Sequence, residues 1–164
     1  MDLRDYDFST PRSTRDAIRL ECVAQGLTLA AQQAYVLATV EHETAGTWEP
    51  VREAYWKTEE WRKQNFRYFP FYGRGYVQLT WEANYKKYSE IVGVDLVAEP
   101  DLVMEPELSC FILVHGFVNG TFTGKKITDY IDARKVDFFR ARRCINGMDK
   151  ASRIARLADN YLKL

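Results

Sequence analysis

A mainly α-helical domain with little or no β-sheet is predicted, on three observations. Apolar side chains recur at helical spacing in several segments, Thr or Pro opens most of them, and Gly or Pro closes them. The 164 residues suffice for one domain with a real core, and no repeat, linker or low-complexity stretch divides them. Residues 1–164 are therefore read as a single domain.

In chain order, Thr10 is expected as N-cap and Pro11 as first residue of a helix that ends at Gly26. Thr28 is expected to cap a second helix, which Gly46 and Pro50 end. A short helix is predicted over Thr58–Gln64, and Val77-Gln78-Leu79 reads as a short extended piece. Thr80 is expected to cap a helix through Ile91, with loop from Gly93 to Pro106. Pro106 opens a helix through Val118, buried by Phe111-Ile112-Leu113-Val114. Short helices are expected at Ile127–Ala133 and Val136–Arg143. A last helix, about Lys150 to Tyr161, has Ile154, Leu157, Ala158 and Tyr161 as its apolar face.

The charge balance, 23 basic against 23 acidic residues, argues against a general nucleic-acid binder. It is uneven: from Thr123 onward eleven Lys and Arg face five Asp. That segment reads as a solvated helix face, or as one that attracts anionic polymers. Four Trp, ten Tyr and nine Phe are many, and much of the excess lies between Trp48 and Tyr88. Such a surplus serves either a core or a cleft that stacks on the apolar faces of sugars. Cys22, Cys110 and Cys144 show neither disulfide nor metal spacing and fit buried thiols in a reducing cytosol. The acidic start MDLRDYDFST, without an apolar core, is not expected to act as a secretion signal, and no apolar run approaches the roughly 20 residues that span a bilayer.

Glu43 is the first candidate for chemistry. In LAAQQAYVLATVEHE it falls within the stripe of Leu29, Val36 and Val40, whereas Glu41 points toward water. A carboxyl at a buried helix end must be paired or neutral, and burial raises its pKa in the direction a general acid needs. The plainer alternative is an ion pair with a nearby arginine. A partner carboxylate could be Glu49, Glu53, Glu59 or Glu60; the aromatic setting of Glu53 favours it, and Glu59 and Glu60 look like helix surface. His42-Glu43 starts like a zinc-protease HExxH, but Gly46 stands where the second His is needed. No metal or cofactor is expected, and GRG at 73–75 is too short for a phosphate loop.

His42-Glu43-Thr44-Ala45-Gly46, followed by Trp48, resembles the HETxG segment of glycoside hydrolase family 19. Tyr72-Gly73-Arg74-Gly75-Tyr76-Val77-Gln78-Leu79-Thr80-Trp81, then Asn84-Tyr85, resembles its YGRG and Gln-Leu-Ser/Thr block. Cys144-Ile145-Asn146-Gly147 resembles its ING element. The short length resembles phage and prophage endolysins more than plant chitinases.

The resemblance implies a lysozyme-like, two-lobed helical domain with a cleft, and inverting hydrolysis of β-1,4 bonds between N-acetylated sugars. By it Glu43 is the general acid, Glu53 the base and Thr80 a holder of the attacking water. Tyr72, Arg74, Gln78, Asn84 and Asn146 become substrate-binding positions, with Arg74 bracing the acidic site. Inversion requires carboxyls about 6.5–9.5 Å apart. Ala83 replaces a plant substrate-contacting Tyr, Met148 the second glycine of INGG, and Tyr76 a small residue or proline; the plant loops and their cysteines are missing. A shallower, more open cleft suits a peptidoglycan glycan strand. The expected protein is a monomeric endolysin, made in the host bacterial cytoplasm without a signal peptide and acting on the cell wall after release. The rivals are a chitinase on the same scaffold, a non-catalytic sugar-binding protein and a transglycosylase.

Overall fold

The computed structural model describes residues 4–164. Six α-helices dominate these residues: α1 (Pro11–Ala24), α2 (Ala30–Glu43), α3 (Glu59–Asn65), α4 (Glu82–Val92), α5 (Pro106–Asn119) and α6 (Ala151–Leu162). The sheet is two strands of two residues, β1 (Val51–Arg52) and β2 (Arg74–Gly75), paired antiparallel. This is the mainly α architecture the sequence predicts.

The centre of the core is α2, packed against α6, α1 and α5. It is buried continuously from Ala34 to Val40 rather than along one stripe. A helix enclosed on every side needs apolar residues all round, and Val36, Leu37, Ala38 and Val40 supply them. Thr10 is the N-cap of α1 as expected, and it forms a capping box with Ser13. The cap expected of Thr28 does not form: α2 begins one residue later, with Leu29 at the N-cap and Gln32 Oε1 accepting the Leu29 N–H.

The end of α2 is set by Thr44. Its hydroxyl donates to the Val40 carbonyl and accepts the Trp48 N–H. The chain then reverses through Ala45 and Gly46, both at positive φ, so Glu43 occupies the last turn. Glu41 does not face open water; it accepts a 2.8 Å hydrogen bond from the Tyr161 hydroxyl of α6.

Residues 77–79 are not a strand. Gln78 has φ +59, and Leu79 returns to pair with Arg74, making a tight turn. Thr80 does not cap α4, because Trp81 at φ +77 takes the N-cap position and the Thr80 hydroxyl turns back to the Gln78 carbonyl. The predicted 93–106 loop contains a 3-10 helix at Pro100–Met104. The two helices expected at 127–143 shrink to 3-10 turns at Ile127–Asp129 and Arg140–Cys144, with Ile131 and Val136 bridged between them. Asp132 and Asp137 each bond backbone N–H groups two to three residues ahead, which favours turns over helix.

Candidate active site

A cleft of about 550 Å³ is lined by the end of α2, the residue after β1, the 77–84 turn, Phe122 and the 142–149 loop. His42, Glu43, Glu53, Gln78, Thr80, Asn84 and Asn146 all contribute to it. A second hollow of about 400 Å³, lined by Thr47, Val51, Tyr55 and Met104 among others, shares Glu43 with the first.

Glu43 Oε1 lies 3.3 Å from Nη1 of Arg142, whose side chain is 4% exposed against 19% for the carboxylate. Nε of the same arginine donates to the Asp149 carbonyl at 2.9 Å. One guanidinium therefore ties the end of α2 to the 142–149 loop. The arginine partner, raised from the sequence as the plainer alternative, is real, and it sits inside the cleft wall. Beside it His42 Nδ1 accepts from Arg153 Nε at 3.3 Å. Partial burial lowers the His42 pKa from its ordinary value, against the pull of Glu43.

Glu53 is held more tightly. Its Oε2 accepts the Gly73 N–H at 2.8 Å and its Oε1 accepts the Tyr68 hydroxyl at 2.6 Å. Its own N–H donates to the Gly73 carbonyl at 2.7 Å. A side chain on residue 73 would place Cβ 2.8 Å from Gln78 Oε1, so only glycine lets the turn approach this closely. Burial, helped by the bond to Glu53, pushes the Tyr68 pKa up to about 12, so the phenol stays a donor.

Thr80 lines the cleft with its hydroxyl hydrogen committed to the Gln78 carbonyl at 2.8 Å. The oxygen then presents lone pairs and acts as an acceptor. Asn84 donates from its amide to the Thr80 carbonyl at 2.8 Å. Asn146 uses Oδ1 to accept the Gly147 N–H, which turns its amide N–H group to other partners. Gln78 spends its amide on Val51 and Gly75 carbonyls, stitching the turn to β1.

Two expected substrate contacts sit elsewhere. Tyr72 is fully buried, its hydroxyl donating to Glu59 and accepting from Arg52. Arg74, 3% exposed, is used up by Asp101, the Pro70 carbonyl and the Tyr85 hydroxyl. Both brace the turn behind Glu53 and neither lines the cleft. Glu59 and Glu60 are engaged on α3 with Arg62 and Gln64, away from the cleft, while Glu49 edges the second hollow.

Tyr68, Arg142 and Phe122 are residues that motif reading missed, and Trp81 lies in the family-like block but takes no role from it. The aromatic surplus of 48–88 was the available signal for Tyr68 and Trp81; Arg142 and Phe122 reach the site only through the tertiary fold. Among the described residues no group of three or more His, Cys, Asp or Glu side chains is placed to hold a metal ion. No helix among them is long and apolar enough to cross a membrane.

Helices around an enclosed α2, with a carboxylate-lined cleft at its C-terminal end, define a lysozyme-like helical fold. A family model described as chitinase class I matches residues 24–121, and the chain belongs to glycoside hydrolase family 19. Rice (Oryza sativa subsp. japonica) chitinase 11 is 36% identical over 75 residues, covering 43% of this chain and 28% of that protein. Rice chitinase 8 is 53% identical over 34 residues, covering 21% and 13%. The matches thus span under a third of these relatives. Chitinase C from Streptomyces griseus HUT6037 superposes with a TM-score of 0.64 at 18% identity, over 96% of this chain and 76% of that one. A bacterial family 19 chitinase gives 0.51 at 18% identity, over 93% and 94%. At such identity the likeness is one of fold.

Proposed function

We propose that the chain is a phage-type endolysin that hydrolyses β-1,4 glycosidic bonds of the peptidoglycan glycan strand with inversion. The observation that carries this is a pair of carboxylates, Glu43 and Glu53, held on separate elements of one cleft by unlike partners. Glu43 donates its proton to the leaving glycosidic oxygen. Glu53 takes a proton from a water, and that water's other hydrogen is accepted by Thr80 Oγ1. The water oxygen bonds to the anomeric carbon as the bond to the leaving oxygen breaks. Asn84 Oδ1 and the Asn146 amide N–H, both on the cleft wall, bond the sugar amide and hydroxyl groups. The enzyme needs no cofactor, works as a monomeric single domain, and is made in the bacterial cytoplasm for release to the wall.

The departures Ala83 and Met148, with the short loop that follows, favour a bulky strand over chitin. A chitinase is the second reading, favoured by the names of the similar rice and Streptomyces proteins. Mass spectrometry of digests of purified peptidoglycan and of chitin separates these. Hydrolysed muropeptides with reducing ends, and little release from chitin, support the endolysin. Anhydro-sugar products mean a transglycosylase, release from chitin alone means a chitinase, and no product from either means a sugar binder.

A further inference from the structure

Tyr55 and Trp56 are 69% and 70% exposed, far more than any other aromatic pair adjacent in this chain. Their rings meet edge to face at 5.2 Å. Two contiguous large rings in water are unfavourable on a soluble surface and mark an interaction site. The turn that carries them is built rigidly. Ala54 stands at φ +50. Arg62, 4% exposed, donates from Nε to the Glu53 carbonyl at 2.9 Å and from Nη2 to the Ala54 carbonyl at 3.0 Å. The same guanidinium is held by Glu59 at 3.0 Å. A buried cation spent on two successive carbonyls fixes the direction in which residues 55 and 56 leave the surface.

That direction matters because Tyr55 lines the second hollow, which has Glu43 in its wall in common with the main cleft. Trp81, 45% exposed, lines the main cleft. Glu43 is thus a shared wall residue, with an exposed indole lining the hollow on one side and the Tyr55–Trp56 pair at the hollow on the other. Pro50, Val51 and Met104 give the second hollow an apolar floor, with Thr47 and Arg52 and the carboxylates of Glu43 and Glu49 among the polar groups at its wall. A pyranose ring offers the matching surface, an apolar C–H face bordered by hydroxyls.

We propose that Tyr55 and Trp56 form a sugar-stacking platform that binds the glycan strand beyond the bond held at Glu43, so the site grips a run of sugars. This rests on the reading of the cleft as glycan-cleaving.

The test uses Glu43→Gln, which holds glycan without cutting it. Peptide-free peptidoglycan glycans of four and eight sugars are titrated calorimetrically into this variant, with and without Tyr55→Ala and Trp56→Ala. The eight-sugar chain is expected to bind about tenfold more tightly than the four-sugar chain, and the double alanine variant to erase that advantage. Tyr55→Phe, which keeps the ring, retains it. A chain-length advantage that survives the double variant overturns the platform while leaving the cleft reading intact. No binding of either glycan overturns both. A double variant that loses a dimer in sedimentation yet keeps its glycan affinity assigns the pair to self-association instead. Both side chains are exposed, so an unchanged melting temperature is expected and checks that the fold is retained.

Discussion

The hydroxyl of Tyr68 donates a 2.6 Å hydrogen bond to Oε1 of Glu53, while its ring packs 4.9 Å from that of Trp81. One side chain thus links the proposed base to an indole that sugar would touch. Tyr68→Phe keeps the ring and removes only the bond. With a net hydrogen bond contributing about 1 kcal/mol, kcat should fall roughly five- to tenfold with KM within about twofold. A rise in KM with unchanged kcat would assign Tyr68 to binding instead.

Glu43→Gln preserves shape but has no proton to give. Lysis of peptidoglycan should drop by about 10²–10⁴-fold, with an unchanged circular dichroism melt. Near-normal lysis by a folded variant would remove Glu43 from the mechanism.

Phe122 reaches the cleft by crossing Gly116 of α5. A Cβ at residue 116 would lie 1.9 Å from that ring, so Gly116→Ala must displace it. Overpacking of this kind costs about 1–3 kcal/mol in unfolding free energy. Adding Phe122→Ala should make the further alanine at 116 nearly neutral; a cycle with no such coupling would contradict the contact.

Asp101 accepts from Arg52 at 2.6 Å and from the buried Arg74 at 3.0 Å. The Arg52 hydrogen bond chiefly holds its pKa below the ordinary aspartate value. Its stabilising effect is therefore full above the unfolded value of about 3.9 and lost as pH falls through the lower folded value. Asp101→Asn should destabilise by about 0.5–1 kcal/mol at neutral pH, because Arg74 loses its ionic partner but Asp101 is 66% exposed and solvent screens the pair. The gap to the parent chain should narrow only in strong acid. A gap that is constant from neutral pH into strong acid would show that the ion pair contributes nothing.

Arg153 and Arg156 on the exposed side of α6, and Lys163 just past its end, line a shallow groove that also includes Asp159 and Asn160. If their charge concentrates the protein on anionic envelope polymers, replacing all three with Gln should reduce lysis of permeabilised cells most at low salt. Hydrolysis of a small soluble oligosaccharide should hold. Equal loss on both substrates would point to a role in the fold, where Arg153 already meets His42.

The long helices were legible from local signals alone. Thr10 with Pro11, the apolar run 111–114 and the Ile154–Tyr161 stripe state their structure within a few residues, because caps and helical periodicity act over one to three turns. Short elements were legible only in part: the helix expected over Thr58–Gln64 forms as α3, capped by Thr58, whereas those expected beyond residue 126 do not. Residues 127–143 carry helix-like spacing, yet Asp132 and Asp137 bond nearby backbone and hold them in turns. Family motifs located Glu43 and the 72–85 block, but a motif does not say which of its side chains face the cleft.

The sequence by itself determined the mainly helical class, the family, and a set of polar residues of which Glu43, Glu53, Gln78, Thr80, Asn84 and Asn146 do line one cleft. Only the tertiary structure decided that Tyr72 and Arg74 belong to the packing behind Glu53, and that Arg142 holds Glu43 from 99 residues away. The reason is physical. Periodicity and capping are set by neighbours along the chain, whereas burial and ion pairing depend on which distant segments the core brings together.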